Sequence, residues 1–73
     1  MTDAVEFDIA AKRAGLSRSD IADALGISLM GLFKKVHNKS EFKASELAKL
    51  YRLFNLDTID SQRKIFFAGD VEK

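Results

Sequence analysis

The groups most able to do chemistry in this sequence are lysines gathered within residues 28–43. They are Lys34, Lys35, Lys39 and Lys43. Only Glu41 is acidic in that stretch, so it carries a local excess of positive charge on a chain whose formal net charge is +1. Ammonium groups at this spacing can hold phosphate oxygens and favour an anionic partner such as nucleic acid, although a run of charge is more often a solvated surface.

Metal and redox chemistry have few candidate residues here. The chain of 73 residues has no cysteine and one histidine, so it can form neither a disulfide nor a thiolate metal site, and one imidazole does not make a zinc site. A chain this short has room for one modest core and not for a deep catalytic pocket. We therefore expect one domain over residues 1–73, with no enzymatic activity, cofactor or metal. The histidine, His37, is interpreted as a surface residue near a helix end.

The sequence also gives no sign of a membrane segment. No apolar run approaches the length of a membrane span. The acidic start of the chain lacks the basic and apolar regions of a signal peptide. We therefore expect a cytoplasmic protein with no membrane partner.

Apolar residues recur every three or four positions along the chain, which predicts an all-α fold. The first helix is expected over residues 3–14, and Gly15 suits a left-handed position that closes it. Its core-facing residues are expected to be Phe7, Ala10, Ala11 and Ala14. Val5 and Ile9 form a second apolar stripe, which is expected to cover another edge of the core.

Two short helices separated by one tight turn are expected over residues 17–38. Ser17 is a favourable N-cap for the first of them, and Gly26 ends it. Ser28 caps the next helix, which is expected to stop near Asn38. The apolar residues of the pair are Ile21, Ala22, Leu25, Ile27, Leu29, Leu32, Phe33 and Val36. Two short helices joined by a glycine-containing turn form a helix-turn-helix unit.

A loop and a fourth helix are expected next. The loop covers residues 39–43, with Phe42 turned inward, and the helix covers residues 44–54 and ends at Asn55. Its apolar stripe is Leu47, Leu50, Tyr51 and Phe54. We expect Tyr51 and the phenylalanines of this region to be part of the core.

A fifth element is expected to begin near Asp57 or Asp60, and its end is compatible with helix or strand. Phe66 and Phe67 would point about 100° apart on a helix, so a core this small cannot easily bury both. One of them is then expected to face a second subunit, in a homodimer formed through about residues 57–73.

Residues 15–38, GLSRSDIADALGISLMGLFKKVHN, resemble the lambda-repressor-like (XRE/Cro-type) helix-turn-helix family. The likeness extends to about residue 56. The stretch of residues 38–60, NKSEFKASELAKLYRLFNLDTID, together with the later KIFF, is similar to small Cro-type regulators of phages from Gram-positive bacteria. The resemblance implies a five-helix domain whose third helix enters the major groove of double-stranded DNA. It also implies a phage transcriptional regulator, such as a repressor in a lysogeny switch.

The resemblance further implies a set of DNA-binding residues. They are Ser17, Arg18, Ser28, Leu29, Met30, Phe33, Lys34, Lys35 and Lys39. The sequence departs from the family pattern at two places. Ala11 and Val36 replace a buried arginine–glutamate pair, an exchange that is often neutral for stability when both partners change. Three of the four positions matched to base reading are apolar, and Gly31 beside them would let a partner approach closely.

The apolar residues Leu29, Met30 and Phe33 leave three interpretations open: core or incidentally exposed residues, a DNA-binding surface, or a protein-binding surface. Leu29 can extend the core-facing side, whereas Met30 and Phe33 cannot fully join it. Apolar side chains can contact thymine methyl groups in the major groove, and an exposed apolar cluster is also typical of a protein interface. The alternative function is therefore an antirepressor or modulator of the same fold, which binds a phage repressor through these three residues.

Overall fold

The computed structural model of the protein describes residues 1–68, and those residues form five α-helices. The helices are α1 (Ala4–Ala14), α2 (Arg18–Leu25), α3 (Leu29–Val36), α4 (Ala44–Leu53) and α5 (Ile59–Phe66). The all-α prediction is confirmed, with the elements in the expected order. The fifth element is helical as far as Phe66, and residues 69–73, included in the C-terminal element expected from the sequence, lie outside the described residues.

Local sequence signals set the ends of α1 and α2. The carboxylate of Asp3 accepts hydrogen bonds from the first backbone N–H groups of α1. Ser17 Oγ accepts from Asp20 N at 3.0 Å, while Asp20 Oδ2 accepts from Ser17 N at 2.9 Å. This reciprocal capping box satisfies two donors that a helix start leaves without partners. Gly15 and Gly26 close the two helices at φ 72°, the left-handed conformation that glycine adopts without strain.

Two asparagines also adopt left-handed conformations, and they differ in what their side chains do. Asn38 follows α3 at φ 63° and Asn55 follows α4 at φ 55°. The side chain of Asn38 accepts from Thr2 N at 2.8 Å and donates to Thr2 O at 2.9 Å. Asp3 N then donates to Ile65 O at 2.7 Å. The N-terminal segment is therefore held between the end of α3 and the end of α5.

The core contains at least one buried side chain from every helix. Its largest fully buried side chains are Phe7, Ile21, Leu32, Val36 and Leu50. Around Phe7, the rings of Phe54 and Phe66 lie edge-on at centroid distances of 5.3 and 6.1 Å, a favoured geometry for aromatic pairs. Phe42 and Tyr51 are half-buried against this cluster. Ala11 and Val36 are both buried.

The expectation for the second stripe of α1 is wrong. Val5 and Ile9 are 67% and 38% exposed and cover no edge of the core. They lie on the side of α1 roughly opposite Phe7 and Ala11, and within residues 1–68 no element packs over that side. Ala14 is exposed as well, because it lies in the last turn of the helix, at the edge of the packed face.

Only one of Phe66 and Phe67 is buried, as expected for a core this small, and Phe67 lies just beyond the end of α5. Phe66 is buried at 4% exposure, whereas Phe67 is 37% exposed. Phe67 lies on the wall of a groove that is also lined by Met1, Thr2 and Phe42. The arrangement leaves one aromatic side chain of the pair outside the core.

Candidate nucleic-acid interface

The second and third helices form a unit that fixes the direction of α3. The turn of residues 26–28 joins them, and the two helices pack against each other. Ala22 of α2 is buried in the core at 2% exposure, where a larger side chain would overpack the site. Leu32 and Val36, which have no exposed surface, anchor α3 in the core. The half-buried Ile27 closes the corner between the two helices.

The outward side of α3 carries Leu29, Met30 and Phe33, which we call the α3 face. Their side chains are 54%, 62% and 44% exposed, and they share an arc of about 100° around the helix. The expectation that Met30 and Phe33 do not join the core is confirmed. The expectation that Leu29 extends the core-facing side is wrong: Leu29 is the first residue of α3, one turn before Phe33, and it is not among the residues packed against the core.

His37 lies next to the α3 face, at the C-terminal end of α3. Its ring centroid lies 4.3 Å from that of Phe33, with the two planes tilted by 40°. Residues four apart on a helix are neighbours, so the contact follows from the spacing. Sequence reasoning treated His37 only as a surface residue; the aromatic pair at this spacing was the signal for its contact with Phe33.

Ser28 and Gly31 act together at the start of α3. Ser28 Oγ accepts from Gly31 N at 3.0 Å, the expected N-cap hydrogen bond. A Cβ atom on Gly31 would lie 3.2 Å from that same Oγ, tighter than ordinary contact. Glycine at this position therefore leaves room for the cap, and the residue itself is half-buried.

The lysines predicted to contact DNA fall into two groups. Lys34 and Lys39 are exposed, and α3 itself contains no acidic residue to neutralise them. They lie at and just beyond the C-terminal turn of α3, where positive charge is favoured by the helix dipole. Lys43, the N-cap residue of α4, is a further exposed cation close to these two in the sequence.

Lys35 differs because its ammonium group has a partner within the protein. Its Nζ donates to Glu46 Oε1 at 2.6 Å, and the two side chains are only 13% and 9% exposed. The same oxygen accepts from Lys43 N at 2.8 Å. Burial alone would raise the pKa of Glu46, but these hydrogen bonds and the two lysine charges outweigh it and hold the pKa below its ordinary value. The ion pair thus ties α3 to the first turn of α4.

Ser17 and Arg18 at the start of α2 also have partners within the protein. Ser17 is committed to its capping box, and its hydrogen bonds lower the pKa of Asp20. The guanidinium of Arg18 donates two hydrogen bonds to Asp8 Oδ1, at 3.0 and 3.2 Å, and one to Oδ2 at 3.2 Å. It also lies 5.8 Å from the centroid of the Phe7 ring. Arg18 therefore connects α2 to α1, and about a third of its side chain stays exposed.

Comparison of the chain with protein-family models, with curated proteins and with solved structures finds no match. Within residues 1–68, no helix has the length and apolar character needed to cross a membrane. In the same part of the chain, no three His, Asp or Glu side chains come together as ligands for a metal ion.

Proposed function

We propose that the protein is a small transcriptional regulator of the phage type that binds double-stranded DNA by placing α3 in the major groove. The observation that carries this proposal is the outward side of α3. It combines an uncovered apolar face with the exposed cations Lys34 and Lys39, and the helix carries no carboxylate. The major groove admits one α-helix, and lysines beside that helix can reach the phosphates.

The residues of the interface have separate roles in this proposal. Lys34 and Lys39 contact phosphates and supply most of the affinity, while the α3 face lies against the base edges. Lys35 and Arg18 position the helices, because their charged groups are held by Glu46 and Asp8. The preorganised helix would then bind with little rearrangement.

The first test is a direct binding measurement. The protein is incubated with a random-sequence duplex library, bound duplexes are enriched over several rounds, and the selected pool is compared with the starting pool by fluorescence anisotropy. We expect enrichment of one sequence class and tighter binding of the selected pool. Failure to retain any duplex at low salt would contradict the proposal.

Homodimer formation is part of the proposal. Phe67 presents an exposed aromatic side chain beside Met1, and a second copy packed there would present two α3 helices to half-sites spaced by about 34 Å. Sedimentation equilibrium of the protein and of Phe67→Ser tests this. A monomer at every concentration, with and without DNA, would remove dimerisation from the proposal.

The α3 face also favours a second candidate function, a modulator that binds a phage repressor. Leu29, Met30 and Phe33 have no hydrogen-bond donor for base readout, and methionine and aromatic side chains are typical of protein hot spots. For this function, Met30→Ala with Phe33→Ala should weaken repressor binding by at least about tenfold. Calorimetric titration of the repressor and of the selected DNA against the same variant separates the two candidates.

A further inference from the structure

The chemistry of the α3 face restricts what it can recognise. None of its three side chains has an N–H or O–H group, and methionine sulfur is only a weak acceptor. At the start of the helix, Ser28 Oγ accepts from Gly31 N, and its single O–H group can donate only one hydrogen bond. The face therefore cannot make the paired hydrogen bonds that identify guanine or adenine. In the major groove, base edges present one apolar group, the 5-methyl of thymine.

We propose that the α3 face recognises thymine methyl groups, so the target DNA carries thymines on two or three successive base pairs. This inference rests on the proposed DNA-binding function. From Leu29 to Phe33 the helix rises about 6 Å, and successive base pairs are about 3.4 Å apart. Because the three side chains share an arc of about 100°, they can contact methyl groups on adjacent base pairs.

The charges around the face favour DNA as its occupant. Residues 28–40 contain three lysines and no carboxylate, and Lys34 and Lys39 are exposed. A polyanion with apolar groups on its groove floor matches this combination of a cationic rim and an apolar centre.

A uracil exchange tests the inference on DNA that is otherwise unchanged. Duplexes selected from the random library are synthesised twice, once with thymine and once with uracil, which pairs identically but lacks the methyl group. Each contacted methyl is expected to contribute about fourfold in affinity, so two or three contacts predict a loss of at least about tenfold. Fluorescence anisotropy at one fixed salt concentration gives both dissociation constants.

Two variants show whether the α3 face causes the difference. In Met30→Ala with Phe33→Ala, the ratio of the affinity for the thymine duplex to that for the uracil duplex should fall towards one. In the matched control, Val5→Ala with Ile9→Ala, two exposed apolar side chains of α1 are shortened and the ratio should persist. Because methyl loss also changes DNA stiffness, the comparison across variants isolates the contact itself. Circular dichroism checks that each variant is folded, and Met30→Ala alone replaces the double variant if it is not.

The possible outcomes separate this inference from the proposed function. Equal binding of thymine and uracil duplexes by the unaltered protein would overturn the inference while DNA binding stands. A uracil effect that persists in the α3 variant would also overturn it. If no duplex is retained at all, the proposed function and the inference both fail.

Discussion

The α3 face and the stripe formed by Val5 and Ile9 on α1 are both exposed and both apolar, yet their surroundings differ. The α1 residues are 67% and 38% exposed, in the same range as the α3 face. The α1 stripe lies among charges of both signs, since Glu6 and Asp8 are near it in sequence and Lys12 and Arg13 follow. Exposure alone therefore does not identify an interface, because scattered apolar residues are normal on a protein surface.

The α3 face is larger, its Phe33 ring contacts the ring of the neighbouring His37, and the charged residues of its own helix are all cations. It is also held at both ends. Ser28 caps its first turn, and Asn38 joins its end to the N-terminal segment. An apolar surface is therefore a candidate binding site when hydrogen bonds hold its helix in place and the surrounding charges are complementary to one kind of partner.

The largest effect on stability is expected when a buried side chain that packs α3 into the core is shortened. Leu32→Ala should lower the free energy of unfolding by about 2–5 kcal/mol, because a fully buried side chain leaves a cavity. Met30→Ala, two positions earlier and 62% exposed, should change it by less than about 0.5 kcal/mol. Urea unfolding followed by circular dichroism measures both. Equal losses in the two variants would mean that the two sides of α3 are wrongly assigned.

A second test concerns the ion pair that joins α3 to α4. Glu46→Gln should cost about 1–3 kcal/mol, since it leaves the largely buried ammonium of Lys35 without its counter-charge. Combining it with Lys35→Met should recover much of that loss, because an apolar pair can replace a buried ion pair.

The same pair predicts a pH dependence. The pKa of Glu46 is lowered in the folded protein, so its contribution is fully present above the ordinary value of 4.5 and is lost as the pH falls through the folded pKa. Stability measured between pH 7 and pH 3 should therefore fall less in Glu46→Gln than in the unaltered protein. An identical fall in both would remove Glu46 as a source of this dependence.

Which structural features the sequence predicts depends on how far apart the interacting residues lie along the chain. Helix order, the left-handed glycines and the serine caps were predictable because their signals lie within four residues. The Lys35–Glu46 pair and the Asn38–Thr2 hydrogen bonds were not, since they join residues 11 and 36 positions apart. The exposure of Val5 was missed for a similar reason: a stripe on one helix does not show whether another helix covers it.

The exposed lysines Lys34 and Lys39 are expected to contact DNA phosphates, and the salt dependence of binding tests this. Lys34→Gln with Lys39→Gln should reduce the slope of log affinity for DNA against log salt by about two, one for each lost phosphate contact. Lys12→Gln with Arg13→Gln removes the same charge from the end of α1 and should leave the slope nearly unchanged. If both variants reduce it equally, the effect comes from net charge and not from contacts beside α3.

The smallest effect is expected at the two left-handed asparagines, and it tests whether the N-terminal segment supports α3. Glycine relieves strain at a positive φ, so Asn55→Gly should be neutral or stabilising by a few tenths of a kcal/mol, because the structure gives its side chain no hydrogen bond within residues 1–68. Asn38→Gly gains the same relief but loses two hydrogen bonds to Thr2, for a net loss of about 1 kcal/mol. Hydrogen exchange of the amides at the end of α3 should accelerate only in Asn38→Gly. If both variants behave like Asn55→Gly, the N-terminal segment does not brace α3, and the helix is held by its core contacts and the Lys35–Glu46 pair alone.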